Sequence, residues 1–139
     1  MAADSDCIFC KIVAGEIPSF KLYEDAETLA FMDINPVHDG HCLVIPKAHS
    51  ATVYDIAPEE ITAAACTAAK VAKAVNAAVQ PDGLNLIQSN GPGAAQSVPH
   101  FHIHVLPRRM DDGLLVNWEL KPGDRGHIAA LAARIREFL

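Results

Sequence analysis

Hydrophobic and polar positions repeat along this chain with two different periods. From Pro58 to Gln80, apolar residues recur at Ile61, Ala65, Ala68, Ala72, Val75 and Val79. Steps of three and four put them on one stripe of an amphipathic helix, with Lys70, Lys73 and Asn76 away from it. Pro58-Glu59-Glu60 suits the first turn, where an amide would lack a partner and acids meet the positive end of the dipole. A second helix is predicted over 124–138, with Asp124 as N-cap and Ile128, Leu131, Ala132, Ile135 and Phe138 as its stripe. A short helical turn is predicted from Cys7 to Ala14, stopped by Gly15. Five strands fill the rest. Phe20–Glu24 and Thr28–Met32 suit a hairpin, and Cys42–Ile45 is closed by Pro46. Leu84–Gln88 and His100–Leu106 follow, the last bounded by Pro99 and Pro107. This order predicts one α+β domain over residues 1–139, a five-stranded antiparallel sheet with one long central helix and a C-terminal helix.

Composition narrows the class. Half of the 139 residues are hydrophobic, which excludes a disordered tail. The mass scaling predicts a folded surface near ~7,000 Å², with about two thirds of the chain's surface buried in a single core. No apolar run approaches the ~18 residues that span a bilayer, and the start lacks a signal-peptide pattern. A reducing cytoplasm is therefore expected, where the four Cys are thiols or metal ligands rather than disulfides. The net charge of −6 argues against a nucleic acid polymer as partner.

The stretch His100-Phe101-His102-Ile103-His104-Val105-Leu106 carries the chemistry. On a strand, side chains alternate between faces. The three histidines then share one face, and Phe101, Ile103 and Val105 pack under a helix from the other. Three imidazoles on a solvated face have no packing rationale. They fit a polar face rich in histidine, a three-His zinc site, or phosphoryl chemistry. The preceding loop, Ser89–Val98, favours the last. Its Gly91, Gly93, Asn90, Gln96 and Ser97 offer the free amides and polar side chains that wrap a phosphate. Imidazole is nucleophilic near neutral pH and leaves phosphorus again readily. Elsewhere, Cys7-x-x-Cys10 is half of a zinc site, or a pair of free thiols. Cys42 and Cys66 read as small apolar fillers.

The pattern His-φ-His-φ-His-φ-φ, with φ apolar, resembles the signature of the histidine triad (HIT) superfamily at all seven positions. Gln96-Ser97-Val98, Cys7-Ile8-Phe9-Cys10-Lys11-Ile12, Ile17-Pro18-Ser19, Phe31-Met32-Asp33-Ile34-Asn35-Pro36 and the run from His41 to His49 are similar to its Hint-like branch. The resemblance covers residues 7–107 and is loose beyond. The uridylyltransferase branch has Gln in the third triad place, so His104 favours a hydrolase.

The resemblance implies a HIT-like fold in a two-fold homodimer, acting on a purine nucleotide or nucleotide conjugate. His102 is the implied nucleophile at the α-phosphorus, forming a nucleotidyl-histidine that water cleaves. His104, Ser97, Gln96 and Asn90 are implied to contact phosphate or leaving group, and Asp33 the ribose. Read without the family, Asp33 is a turn former. Ile8, Phe9, Ile12, Phe31, Ile34 and Leu43 resemble the purine pocket, though composition alone makes them core. His41 matches a histidine beside the triad, or is a polar strand start. Zinc is implied at Cys7, Cys10, His49 and His100, as a closed structural site. Trp118 is either a residue near the partner's site or an anchor of the tail. Purine nucleoside phosphoramidates are the leading substrates. Diadenosine polyphosphates, or nucleotide binding with little turnover, are the alternatives.

Overall fold

The computed structural model of the chain describes residues 3–116 and 118–139. Its elements run α1 (Ile8–Val13), β1 (Lys21–Glu24), β2 (Thr28–Met32), β3 (Cys42–Pro46), α2 (Pro58–Val79), β4 (Gly83–Ile87), a 3-10 turn (Pro92–Ala94), β5 (Ile103–Arg108) and α3 (Arg125–Arg136). The strands form one antiparallel sheet in the order β1-β2-β3-β5-β4. The expected α+β architecture and its element order are present. Among the described residues no helix is long and apolar enough to cross a membrane.

Each sheet face has its own cover, and the period of two sorts the residues between them. Ala30, Cys42, Val44, Phe101, Ile103 and Val105 face α2, meeting Ala64, Ala68, Val71 and Val75. Leu29, Phe31, Leu43 and Ile45 face the other way and pack under α1 through Cys7, Phe9 and Cys10. β3 is buried along its whole length because it is covered on both sides, which is why it reads as an unbroken apolar run. Ala64 and Ala68 have no exposed surface. Their small side chains let the helix lie close to the sheet.

Several sequence expectations shift. The buried stripe of α2 runs through Ala64, Thr67, Ala68, Val71 and Val75, while Ala65 and Cys66 are exposed. A run of alanines gives the periodicity no contrast by which to set its phase. Thr67 is buried because its hydroxyl pairs with that of Thr28 at 2.8 Å, which offsets the cost of taking it from water. Cys42 is a buried filler as expected; Cys66 is not. β5 begins at Ile103 and continues through Pro107, which pairs with Leu84. The β3 ladder ends at Val105, so Pro107 has a strand on one side only. His100 and His102 therefore lie in the extended approach to the strand, where the Phe101 amide donates to the Ser50 carbonyl at 2.7 Å.

The C-terminal helix forms but finds nothing to cover. Asp124 caps it by accepting from the His127 amide at 3.0 Å. None of its residues is buried, and the expected stripe of Ile128, Leu131, Ile135 and Phe138 faces solvent. The total surface is 9179 Å², well above the ~7,000 Å² expected for this mass.

Gly40 sets the start of β3 against α2. Its φ is +89°, and a Cβ there would meet Val79 Cγ2 at 2.8 Å and Pro107 Cγ at 3.2 Å. Gly40→Ala is expected to destabilise the fold by about 2–4 kcal/mol, through positive-φ strain and overpacking. Chemical denaturation measures this, and an unchanged midpoint would contradict the packing described.

Candidate active site

The site is built where the approach to β5 passes under α1. Phe9 meets the rings of His102 and His100 edge-on, with centroids 5.3 and 5.8 Å apart. His100 is fully buried, His102 is 2% exposed and His104 is half-buried. The histidine face is thus covered rather than solvated, because α1 closes over it.

Backbone partners decide which nitrogen of each ring carries the proton. A carbonyl can only accept and an amide can only donate. His102 Nδ1 lies 2.7 Å from the His100 carbonyl, so Nδ1 is protonated and Nε2 keeps its lone pair. The Val37 amide donates to His41 Nδ1 at 3.1 Å. His41 Nε2–H then donates to His104 Nδ1 at 2.9 Å, which leaves His104 with Nε2–H as a donor. His100 Nε2 donates to the Pro46 carbonyl at 2.8 Å, so its Nδ1 lone pair faces the two cysteines.

Burial keeps these rings neutral. It pushes the His104 pKa down to about 4, with the neighbouring His102 and His41 adding to the effect. His102 is also held below the usual imidazole value by burial, against its bond to the His100 carbonyl. Burial likewise lowers His41, although Asp33 opposes this. A ring that stays neutral at pH 7 keeps its lone pair for nucleophilic use.

His102 and His104 open onto a cavity of about 420 Å³, within the range of small-molecule sites. Ile8, Phe9, Ile12, Phe31, Ile34 and Leu43 line it, with Asp33 and Ser97. Every one of these residues was legible in the sequence. Ile17, Pro18, Ser19, Asn35 and Val98 also line it; their signal was the motif that each occupies. Asp33 forms the turn that its local sequence suggested, and its second oxygen faces His41. Oδ1 accepts from the Asn35 amide at 2.8 Å, while Oδ2 lies 3.4 Å from His41 Nε2.

Two residues expected to contact phosphate have their polar atoms bonded within the protein. Gln96 accepts from the Gly91 amide and donates to the carbonyls of Ala51 and Val98. Asn90 accepts from the Val53 amide at 2.7 Å and exchanges bonds with Gln88. Neither lines the cavity. Both spend their polar atoms fixing the loop that presents Ser97. Trp118 is 81% exposed, so it does not anchor the tail among the described residues.

Among the described residues, two groups bring metal-ligating atoms within 4.8 Å of one another. In the first, Cys7, Cys10, His49 and His100 gather two sulfurs and two Nδ1 atoms. His49 Nδ1 lies 3.2 Å from His100 Nδ1 and 3.5 Å from Cys10 Sγ. Cys7 Sγ lies 3.3 Å from His100 Nδ1. Two facing lone pairs repel unless a cation or shared proton sits between them, so this group could hold a metal ion. The second group is Asp33, His41 and His104. There His41 Nε2 already carries a proton, because Val37 occupies Nδ1, and the trio forms a hydrogen-bond relay instead.

The sequence profile of the HIT domain matches residues 14–111. The adenosine 5′-monophosphoramidase of Saccharomyces cerevisiae is 45% identical over 122 residues, 87% of this chain and 75% of that protein. A HIT family crystal structure from Bacillus subtilis superposes with a TM-score of 0.90 at 40% identity, covering 97% of this chain and 98% of that one. A zinc-bound histidine triad protein from Mycobacterium smegmatis superposes with a TM-score of 0.74 at 35% identity, covering 93% and 97%.

The tautomers are directly measurable. In an NMR titration, His104 should remain an Nε2–H neutral ring through neutral pH and protonate near pH 4. Protonation adds a hydrogen to Nδ1, which then cannot accept from His41. A midpoint at the ordinary imidazole value would contradict the buried relay.

Proposed function

The chain belongs to the histidine triad (HIT) family, and from that premise we propose that it hydrolyses purine nucleoside phosphoramidates or related nucleotide conjugates. The observation that carries this reading is His102: a buried, neutral imidazole with Nδ1–H held on the His100 carbonyl at 2.7 Å and its ring on the cavity wall. The apolar walls suit a flat purine, and the Asp33 carboxylate at their edge suits the ribose hydroxyls. Ser97, in the loop that Gln96 and Asn90 hold, lines the same cavity as His102. The relationship to a monophosphoramidase supports the substrate class.

The mechanism follows from the tautomers. His102 Nε2 attacks the α-phosphorus and forms a P–N bond as the bond to the leaving amine breaks. His104 Nε2–H lies on the same wall and donates to the departing nitrogen or to a phosphoryl oxygen. His104 keeps its Nε2 proton, since its Nδ1 accepts from His41 and a neutral ring gives a hydrogen bond rather than a proton; the leaving amine takes its proton from water. Water then attacks phosphorus, the nucleoside monophosphate leaves, and His102 regains its lone pair. The His100 carbonyl stabilises positive charge on His102 throughout.

The Cys7, Cys10, His49 and His100 set fits zinc. Tetrahedral Zn–S and Zn–N bonds require N···N and S···N separations of about 3.4–3.6 Å. The donors here already stand 3.2–3.6 Å apart. Outer partners fit as well: the Pro46 carbonyl orients His100, and the Asp4 carboxylate lies 3.8 Å from His49 Nε2. With four protein ligands, the ion would be structural and would tie α1 to the catalytic segment.

A homodimer, working in the cytoplasm, completes the reading. β4 is an open sheet edge without a charged residue, and Leu86 on it is 51% exposed. Such an edge invites pairing with a second copy. The unburied stripe of α3 and the excess surface point the same way.

Two experiments test the proposal. His102→Ala should cut turnover of an adenosine phosphoramidate by roughly 10⁴-fold or more while nucleotide binding stays detectable; retained turnover would remove the nucleophile assignment. Native mass spectrometry should give a particle near twice 14.9 kDa carrying about one zinc per chain. A metal-free monomer would remove both parts of that reading.

A further inference from the structure

We propose that Cys7 and Cys10 form a reversible disulfide that switches off the catalytic histidines. The inference rests on the site reading above and adds a modification site to it. Cys7 is the N-cap of α1, and its Sγ accepts from the Cys10 amide at 3.4 Å. The two sulfurs lie within 4.8 Å of each other in one helical turn. Two residues between cysteines at a helix start is the spacing at which a disulfide closes with little backbone movement.

Closure would be felt at His102 by two routes. First, a disulfide sulfur has no proton to donate and is a poor metal ligand. His100 Nδ1, now 3.3 and 3.6 Å from the sulfurs, would lose the partner that fixes its ring. The carbonyl of that same residue holds the His102 tautomer at 2.7 Å. Second, Phe9 lies between the two cysteines in sequence and packs edge-on against His102 at 5.3 Å. Pulling Cys7 and Cys10 together shifts the segment that carries Phe9 and Ile8, both of which line the cavity.

The step balances with a peroxide as oxidant. Two thiols and one hydrogen peroxide give one disulfide and two waters; sulfur is oxidised and peroxide oxygen reduced. If the sulfurs begin as zinc thiolates, two protons are taken up and the ion is released. A dithiol reductant reverses the sulfur chemistry. The buried location of both residues, each 5% exposed, slows the reaction but does not exclude a small oxidant.

Cys66→Ala removes the exposed thiol that peroxide would reach first, and it lies on the outer face of α2, away from the site. The full-length Cys66→Ala protein would be treated with increasing hydrogen peroxide. Three readouts follow: mass spectrometry of the Cys7–Cys10 peptide, zinc release into a chromogenic chelator, and the His102 imidazole signals by NMR. The expected result is an intramolecular link two mass units lighter, zinc release in step with it, and loss of the single His102 tautomer. Turnover should fall at least tenfold and return with dithiothreitol and zinc.

A His102 spectrum unchanged after the disulfide has formed overturns the switch. So does oxidation of these cysteines to sulfinic acid without any link. Protein that carries no zinc from the outset, yet loses the His102 tautomer on closure, supports the switch and counts against the zinc reading. Protein inactive on phosphoramidates but showing the same NMR change supports the switch and counts against the substrate.

Discussion

His100 is the residue on which the rest of the site depends. It makes three commitments at once. Its Nε2–H is held by the Pro46 carbonyl of β3, its Nδ1 faces the cysteines of α1, and its own carbonyl holds His102. The residue has no exposed surface. A buried polar group must find partners or cost the fold roughly 1–3 kcal/mol. Here each partner belongs to a different element, so satisfying one residue docks α1, β3 and the histidine segment onto one another.

Burial does the second part of the work. Three rings that would share protons at neutral pH on a surface are all held neutral in the interior, His100 and His104 down to about 4. The cause is the same in each case: the charged form is costly away from water. A charged row of histidines would attract phosphate but could not attack it. A neutral row with fixed tautomers separates the tasks. His102 is left with a lone pair, and His104 with a hydrogen bond to donate.

Much of this was legible in the residues. The alternation of His with Phe101, Ile103 and Val105 gave the division between histidine face and helix-packed face correctly. The cavity residues from Ile8 to Leu43 were recognisable from their motifs. Other features were not legible, for physical reasons. The phase of the α2 stripe was lost among alanines, where every position is equally apolar. Gln96 and Asn90 looked like phosphate ligands because their chemistry suits it. Whether an amide side chain is free or already bonded depends on which loop lies beside it. The stripe on α3 predicted burial, and among the described residues no surface receives it.

The sequence by itself determined the residue types, the two periods that place them on faces, and hence the family. It could not determine which nitrogen of each histidine carries the proton. That choice lies with Pro46, Val37 and the His100 carbonyl, and with Cys7 far along the chain. Only folding brings those groups within hydrogen-bond reach. A pattern records what each residue can donate or accept, whereas the mechanism depends on which partner has already claimed it. For the same reason two groups of ligand-type atoms of similar composition diverge. One presents free lone pairs suited to a metal, and the other is a proton relay because a single backbone amide occupies His41 Nδ1.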